Sequence, residues 1–260
     1  MTSEFITEER HQSFIVVRLN RPEKLNSLSG EMILALSDLF KTVADDTNLR
    51  AVILTGAGDR AFCAGTDICE LVERDSDRAP EVSERGQTLC NLVENCRVPV
   101  IAAVNGIAAG GGCELALACH IRIAAASAQF SLPETKLGVI PGYSGTQRLA
   151  REIGHGRALD MMLTGRTITA EEAWRFGLVN HIAAGDELLA RAEALALEIA
   201  ALAPLAIRAC LEAVVRGSEL PIDEGLALET KLFASLFATD DVREGTSAFI
   251  EKRRPVFKGK

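Results

Sequence analysis

The stretch GIAAGGGCELALACH, residues 106–120, places three consecutive glycines shortly before Glu114 and an apolar run. It follows VIAAVNG (100–106), which has the composition of a strand, so the glycines occupy a predicted strand-to-helix turn. Glycines at such a turn let the backbone approach a ligand closely, and the helix N-terminus beyond them favours negative charge. Close packing of the helix against a sheet would explain the same glycines, so this stretch alone leaves both interpretations open.

The glycine run does not match the common nucleotide-binding motifs. Gly110, Gly111 and Gly112 lack the G-x-G-x-x-G spacing of a dinucleotide site, and no G-K-[ST] follows them as in a P-loop. The segment is instead similar to an earlier one. AVILTGAGDRAFCAGTDI (51–68) also runs from a strand through a glycine-containing turn and small residues to a helix. Repeats of this kind predict a coiled, spiral α/β body rather than a doubly wound sheet.

The rest of the chain divides into a mixed α/β part and a helical part. Asp186 marks the change, because every segment after it has a helical pattern and none has a strand pattern. Long apolar helices at a chain end are typical of an oligomer interface, which we expect here. The elements predicted before this point are strands over 14–20, 51–56, 100–106 and 121–132, helices over 29–46, 81–96 and from 169 onward with Ser29 and Thr169 as N-caps, and a mobile surface loop over 73–84.

Composition restricts the class of protein. The chain has 260 residues, of which 48% are hydrophobic, and its net charge is −8. This balance predicts a globular protein with a large core, and it disfavours broad binding to nucleic acid or to an anionic membrane surface. No apolar run of about 18 residues is present, so no transmembrane helix is predicted. The first residues, MTSEFITEERHQSF, have neither an apolar core nor an arginine-rich pattern, so we expect a cytoplasmic protein.

The seven cysteines are predicted to be small buried hydrophobes. Six of them form pairs that are six residues apart, namely Cys63/Cys69, Cys90/Cys96 and Cys113/Cys119. This spacing is unlike that of zinc ligands, and no paired histidines accompany it. We therefore predict no metal site and a reducing compartment.

Two carboxylates are candidates for acid–base chemistry. Glu114 lies in the first turn of the predicted helix, where the helix dipole alone explains a carboxylate. Glu134 follows a predicted strand and leads into LGVIPGYSG (137–145), which we predict to be a buried loop. Two carboxylates beside one turn lined with N–H groups can act as an acid–base pair. RAFCAGTDI (60–68) offers a second turn of small residues, and one backbone N–H from each turn would form an oxyanion hole.

Taken together, these segments resemble the enoyl-CoA hydratase/isomerase family, also called the crotonase family. The similar segments, in chain order, are RPEKLNSLS (21–29), FCAGTDI (62–68), AAVNGIAAGGGCELALACHIRIA (102–124), LPETKLGVIPGYSGTQRL (132–149) and ATDDVREGTSAFIEKRRPVFKGK (238–260). The resemblance implies an α/β fold, a crotonase-like spiral of repeated ββα units with a C-terminal helical segment. It divides the chain into a catalytic domain over 1–197 and a helical oligomerisation segment over 198–260.

The resemblance also implies roles for individual residues. The backbone N–H groups of Thr66 and Gly111 would form the oxyanion hole, and Glu114 and Glu134 would hold the attacking water with the N–H of Gly142. Glu114 would activate the water for attack at C3, and Glu134 would deliver a proton to C2. Contacts with coenzyme A are implied for Lys24, Leu25, Ala64, Thr66, Asp67, Ile68, Gly111 and Gly142, with positive charge from Arg21 and Lys24, and for Phe249 and Lys258 acting on the substrate of a neighbouring subunit.

The activity that the resemblance implies is hydration of a 2-enoyl-CoA to a 3-hydroxyacyl-CoA, and dehydration in reverse, because both glutamates are present. It implies an acyl-CoA substrate, no required cofactor, and a homotrimer or a dimer of trimers, without nucleic-acid or membrane partners. An enoyl-CoA isomerase or another crotonase-type acyl-CoA activity remains the alternative. The remote alternative is a family member that is non-catalytic or binds RNA.

Three features depart from the family pattern. Thr66 stands where alanine is usual, but the implied role needs only its backbone N–H. Tyr143 and Ser144 replace a small or glycine-rich pair, and Tyr143 would either narrow the acyl end of the site or only pack. His120 stands where aspartate is common, and we expect a structural role for it.

Overall fold

The computed structural model describes residues 4–69 and 79–260 of the chain. Within these residues there are ten strands, ten α-helices and two short 3-10 helices. The strands are β1 (Ile6–Arg10), β2 (Phe14–Leu19), β3 (Ala51–Gly56), β4 (Ala61–Cys63), β5 (Val100–Val104), β6 (Ile107–Ala109), β7 (Ile121–Ala125), β8 (Gln129–Ser131), β9 (Thr167–Thr169) and β10 (His181–Ala183). The α-helices are α1 (Gly30–Asp45), α2 (Ala79–Glu94), α3 (Gly111–Ala118), α4 (Gly145–Ile153), α5 (His155–Thr164), α6 (Ala170–Phe176), α7 (Leu188–Ala200), α8 (Pro204–Gly217), α9 (Ile222–Leu236) and α10 (Asp240–Glu251), and the 3-10 helices are Pro22–Lys24 and Glu134–Leu137.

The strands form two sheets that the chain enters in alternation. β3, β5 and β7 are parallel neighbours in a six-stranded sheet of order β1-β2-β3-β5-β7-β10. β4, β6 and β8 are parallel neighbours in a four-stranded sheet of order β4-β6-β8-β9. Each repeat therefore adds one strand to each sheet before the chain turns into its helical segment. This arrangement confirms the predicted spiral of ββα units.

The spiral also explains an error in the strand predictions. Residues 121–132, predicted as one strand, form β7 in the larger sheet and β8 in the smaller sheet. The chain turns between them, where the N–H of Ala128 donates to the carbonyl of Ala125. Neither glycine nor proline marks this turn, so the sequence contained no signal for it. The short strands β1, β9 and β10 were not predicted either.

Both predicted N-caps are confirmed. The Ser29 hydroxyl accepts the N–H of Met32 at 3.2 Å and begins α1. The Thr169 hydroxyl accepts the N–H of Glu172 at 3.2 Å and begins α6.

The predicted loop over 73–84 is only partly within the described residues. Residues 73–78 lie outside them, and the remainder of the prediction is wrong because α2 is helical from Ala79. The polar face of α2 had weakened the helical pattern in this segment, since only Gly86, Leu89, Cys90 and Val93 are buried.

The C-terminal helices differ in how they contact the sheets. α7 packs on β3, β5 and β7 and buries Leu188, Ala192 and Ala196. In contrast, α8 and α9 pack on each other and contain no buried residue, so that Phe233 and Phe237 are exposed. The division of the chain at residue 197 stays a prediction. Among the described residues, no single helix is both long enough and apolar enough to cross a membrane. Only α7 and α8 taken as one segment reach that length and apolar character, and the two helices meet at a bend of 108°.

Candidate active site

A cavity of about 1170 Å³ lies beside the glycine run of α3. One wall is formed by α2 and another by the segment that leads from the 3-10 helix Glu134–Leu137 into α4. The lining residues are Thr66, Ile68, Ala79, Val82, Ser83, Gln87, Asn91, Glu114, Glu134, Leu137, Val139, Ile140, Pro141, Gly142, Tyr143, Ser144, Thr146 and Gln147. The structure therefore brings both candidate glutamates and the Thr66 turn to one cavity.

Each of the three consecutive glycines is required for a different structural reason. Gly110 has a φ of +50°, and a Cβ on it would lie 3.0 Å from Glu134 Oε1. Gly112 is a packing glycine, because a Cβ there would lie 2.1 Å from the carbonyl oxygen of Cys63. The Cβ position of Gly111 faces the Thr66 hydroxyl at 3.0 Å and the Tyr143 ring at 3.2 Å, both of which line the cavity. The two interpretations of the glycine run are therefore both correct, packing at Gly112 and access to the cavity at Gly111.

The turns at Thr66 and Gly111 lie against each other. Thr66 forms a parallel bridge with Leu28, in which Leu28 donates to the Gly65 carbonyl and Asp67 donates to the Leu28 carbonyl. The nitrogen of Gly111 lies 3.8 Å from the Cβ position of Gly65. Among the described residues, neither the N–H of Thr66 nor that of Gly111 has an acceptor. Two backbone donors without acceptors among the described residues thus lie on adjacent turns, which is a requirement of an oxyanion hole.

The Glu114 carboxylate is held by the backbone of a distant loop. Its side chain is in the first turn of α3, and the residue is 2% exposed. Glu114 Oε1 accepts the N–H of Tyr143 at 2.8 Å and that of Gly145 at 2.6 Å. The pKa of Glu114 is raised to about 8, mainly by burial and also by the nearby charge of Glu134, while the two N–H donors oppose the rise. The sequence had not indicated the donors at 143 and 145.

The Glu134 carboxylate has one buried oxygen without a hydrogen-bond partner among the described residues. Glu134 begins the second 3-10 helix, and this oxygen is its Oε2 atom. Burial raises the pKa of this carboxyl. A buried polar oxygen without a partner is costly, so a hydrogen-bonding ligand at this position would be stabilised.

Two predictions about the loop 137–145 need correction or remain open. The loop is only partly buried, since Leu137, Val139 and Ile140 are exposed at the cavity, whereas Pro141, Tyr143 and Gly145 are buried. The carbonyl of Gly142 accepts the Ser83 hydroxyl at 2.6 Å, which ties the loop to α2. The implied contact of the Gly142 N–H with a water stays a prediction.

The Tyr143 ring packs and also lines the cavity, so the two interpretations of this residue are compatible. It is 5% exposed and lies against the backbone of α2 at Gly86. A Cβ on Gly86 would lie 2.0 Å from the ring, so only glycine leaves room for it.

We expect Gly86→Ala to lower the free energy of unfolding by about 1–3 kcal/mol, because the added methyl group overpacks the Tyr143 site. Urea unfolding followed by near-UV circular dichroism would measure this, since Tyr143 is the only tyrosine of the chain. Gly156→Ala in α5 is the matched control, because no atom lies within 4 Å of its Cβ position. That change should leave stability unaltered or raise it by up to about 1 kcal/mol. Equal effects of the two changes would contradict the packing argument.

The loop implied to bind coenzyme A is joined to the Thr66 turn. Leu25 has a φ of +51°, and its carbonyl accepts the N–H of Ala64 at 3.0 Å. Asp67 forms an ion pair with Arg21 at 2.9 Å, and Arg21 lowers the pKa of the Asp67 carboxyl. Arg21 is therefore paired within the protein, and its contribution of positive charge to coenzyme A binding stays a prediction. Lys24 has no ion pair within the described residues.

Ile68, Phe249 and Lys258 lie at three different places. Ile68 lines the cavity with 55% of its surface exposed. Phe249 is 85% exposed near the end of α10. The backbone N–H of Lys258 bonds to Asp241 near the start of α10, eight residues or about 12 Å of helix away from Phe249. The contact of Phe249 and Lys258 with coenzyme A stays a prediction.

Two other sequence features have structural explanations. Val100 donates its N–H to His120 Nδ1 at 2.9 Å, and His120 Nε2 lies 3.0 Å from the Glu94 carbonyl, so the ring links β5 to α2. Five cysteines are buried free thiols, but Cys69 and Cys210 are exposed, so the burial prediction is wrong for those two. Within residues 4–69 and 79–260, no three His, Cys, Asp or Glu side chains are grouped to hold a metal ion.

Known proteins resemble this chain over almost its whole length. The enoyl-CoA hydratase/isomerase family matches residues 9–260. A crotonyl-CoA hydratase of Syntrophomonas wolfei is 41% identical over 99% of this chain and 99% of its own. A short-chain-enoyl-CoA hydratase of Clostridium acetobutylicum is 41% identical over 95% of this chain and 94% of its own.

A solved structure gives the same result for the fold. The crystal structure of an enoyl-CoA hydratase from Bacillus anthracis superposes with a TM-score of 0.95 at 41% identity, covering 98% of this chain and 100% of that chain. This confirms the crotonase-like fold. Family match, full-length identity and superposition agree, and the chain is therefore an enzyme of the enoyl-CoA hydratase/isomerase family.

Proposed function

We propose that this enzyme adds water to a 2-enoyl-CoA to form a 3-hydroxyacyl-CoA, and that it catalyses the reverse dehydration. The relatives named as hydratases support enoyl-CoA hydration in general. The observation that carries the detailed proposal is the placement of Glu114 and Glu134 on one cavity, next to the unshared N–H groups of Thr66 and Gly111.

The proposed oxyanion hole acts on the thioester. The thioester oxygen accepts the N–H groups of Thr66 and Gly111, which withdraws electron density from the conjugated double bond. When water attacks C3, negative charge develops on this oxygen as an enolate, and the two preorganised donors stabilise that charge in a site shielded from solvent. The first turn of α3 adds its positive dipole end in the same place.

The proposed acid–base step uses the two glutamates as a pair that holds one proton. Glu114 acts as the base, because its two N–H donors stabilise the ionised form. Glu134 acts as the acid, because its buried Oε2 has no such donors among the described residues. Water loses a proton to Glu114 as its oxygen bonds to C3, and the Glu134 proton bonds to C2. The pair again holds one proton afterwards, so the step balances.

We expect a bell-shaped pH profile for hydration. Burial raises the pKa of both carboxyls, that of Glu114 to about 8, and the charge of Glu134 adds to the rise at Glu114. The two carboxyls therefore titrate as one coupled pair. Above about pH 8 the pair loses the proton that C2 must receive, so kcat falls as the pH rises. At acid pH a second proton occupies the base, so kcat falls again. Initial rates between about pH 5 and pH 10 would measure both limbs, and a rate that stays level through pH 8 and above would contradict a one-proton pair.

Absorbance of the conjugated enoyl thioester tests the proposed function. Hydration of crotonyl-CoA by the purified enzyme should remove this absorbance band, and the product should regenerate it in the reverse reaction. Isomerisation of a 3-enoyl-CoA, the alternative activity, would instead create the band. A panel of enoyl-CoAs of increasing length and branching would then define the acyl specificity. Absence of hydration across the whole panel would refute the proposal.

We further propose that the substrate is the only coenzyme A compound required, with no added cofactor, and that the enzyme is cytoplasmic. The proposed homotrimer or dimer of trimers is supported by exposed apolar residues in and next to α8 and α9, namely Val214 in α8, Phe233 in α9 and Phe237 at the C-terminal end of α9. Light scattering during gel filtration would give the assembly mass directly. A monomer at micromolar concentration would refute the proposed assembly.

A further inference from the structure

The loop that holds Glu114 has an unusual backbone conformation. Ser144 lies between the two donors at Tyr143 and Gly145 and has φ +95° and ψ 7°. This is the left-handed region, which glycine adopts readily and serine rarely adopts. The turn at Ser144 directs the N–H groups on either side of it to the same oxygen of Glu114, an arrangement of successive N–H groups that binds anions.

Arg148 holds Ser144 in this conformation. Arg148 Nη1 donates to the Ser144 hydroxyl, and that hydroxyl donates to the Tyr143 carbonyl. The rest of the guanidinium is anchored on α2, with Nε and Nη2 bonded to the Glu94 carboxylate at 2.9 and 2.5 Å and Nη2 bonded to Asn91 at 2.9 Å. The Arg148 side chain is 12% exposed. The planar guanidinium thus connects a fixed carboxylate on α2 to the strained serine.

We infer that Arg148 is a positioning residue for Glu114: anchored by Glu94, it holds Ser144 in the left-handed turn that points two backbone N–H groups at Glu114 Oε1. The role of Arg148 in catalysis rests on the proposed function, but its effect on the geometry around Glu114 does not. Arg148 itself need not contact a substrate, since it acts through Ser144.

The groups around Glu114 make this effect measurable. Glu134 faces it from the 3-10 helix, Cys90 from α2 and Arg148 from α4. Burial raises the pKa of Cys90 to about 12, so this thiol stays neutral over the range in which Glu114 titrates. Cys113, the neighbour of Glu114 in α3, is likewise kept neutral by burial, which raises its pKa. A change in Glu114 titration therefore reports on its N–H donors, on Glu134 or on Arg148.

A matched pair of substitutions separates the geometry from the charge. Ser144→Ala and Ser144→Gly both remove the hydroxyl and change no charge, but only glycine adopts the left-handed turn without strain. We expect the titration of Glu114 to move upward by about one pH unit in Ser144→Ala, as loss of one charge-assisted hydrogen bond would cause, and to stay near the wild-type value in Ser144→Gly. Equal titrations in the two variants would overturn the inference.

Arg148→Met tests the anchor in the same way. Arg148→Met should move the Glu114 titration upward, both because the left-handed turn is lost and because a positive charge is lost. Adding Ser144→Gly should restore the turn and so reverse the first part of the shift. It should not reverse the second part, since glycine restores no charge. Arg151→Met is the control, because this exposed arginine of α4 pairs with Glu219 instead. A shift of equal size in Arg151→Met, or no reversal by glycine, would refute a role through Ser144. If Arg148→Met does not fold, the comparison of Ser144→Ala with Ser144→Gly still tests whether the left-handed turn controls the Glu114 titration.

The readout is carbon NMR of the free enzyme with labelled glutamate side chains, with Glu114 assigned from the Glu114→Gln variant. This measurement needs no turnover, so it keeps the inference separate from the proposed function. If the enzyme hydrates no enoyl-CoA but the titrations move as expected, only the proposed function fails. If hydration is present, the pH profile of the rate should move with the NMR titration, which a purely structural defect would not produce.

Discussion

Replacing Glu114 by glutamine is expected to lower kcat for enoyl-CoA hydration by about 10²- to 10⁴-fold, the range that a positioned acid or base contributes. Glutamine keeps the size of the side chain, and its oxygen can still accept the N–H groups of Tyr143 and Gly145. The fold should therefore survive while the base is lost. Steady-state rates with crotonyl-CoA would measure the effect, and the acid limb of the rate profile, in which the base becomes protonated, should disappear with the Glu114 carboxyl.

Glu134→Gln should cause a loss in the same range, because the pair acts as a unit. For the same reason the double variant should be little slower than either single one. Glu31→Gln is the control, since Glu31 is exposed in the first turn of α1 and lies outside the cavity. Hydration at the wild-type rate in either Glu114→Gln or Glu134→Gln would show that the assigned acid–base pair is wrong.

Replacing Gly111 by proline is expected to lower kcat by about 10²- to 10³-fold, because it deletes one of the two oxyanion donors. Gly111 is the first residue of α3, and proline is well tolerated at a first helical position, where the N–H has no intrahelical acceptor. The N–H can thus be removed with little disturbance of the helix. Circular dichroism and thermal unfolding would confirm that the variant is folded before its rates are compared.

Two variants separate the loss of the N–H donor from the steric effect of the added proline ring. Gly111→Ala keeps the N–H but adds a methyl group 3.0 Å from the Thr66 hydroxyl, so it measures the steric part of the proline effect. Thr66→Ala removes a side chain that the proposed hole does not need and should change kcat by only a few fold. If Gly111→Ala and Gly111→Pro lose the same activity, crowding explains the result and the donor assignment has no support.

The active-site contacts show how far a sequence can be interpreted. The N-caps at Ser29 and Thr169, the ββα order and the cluster of Gly111, Glu114 and Glu134 were all predictable. Each depends on a local pattern or on motifs that recur in a fixed order. The ion pair of Arg21 with Asp67 was not predictable for the opposite reason, because the two residues are 46 positions apart and no local pattern joins them.

The sequence by itself determined which residues meet at the candidate active site, because apolar periodicity, helix caps and glycine-rich turns act over a few neighbouring residues. Only the tertiary structure decided how those residues are held. The two donors to Glu114 come from 29 and 31 positions along the chain, across a serine with φ +95° that Arg148 and Glu94 restrain. Such a turn is unfavourable for serine in isolation, so it exists only where packing between α2, α3 and α4 enforces it.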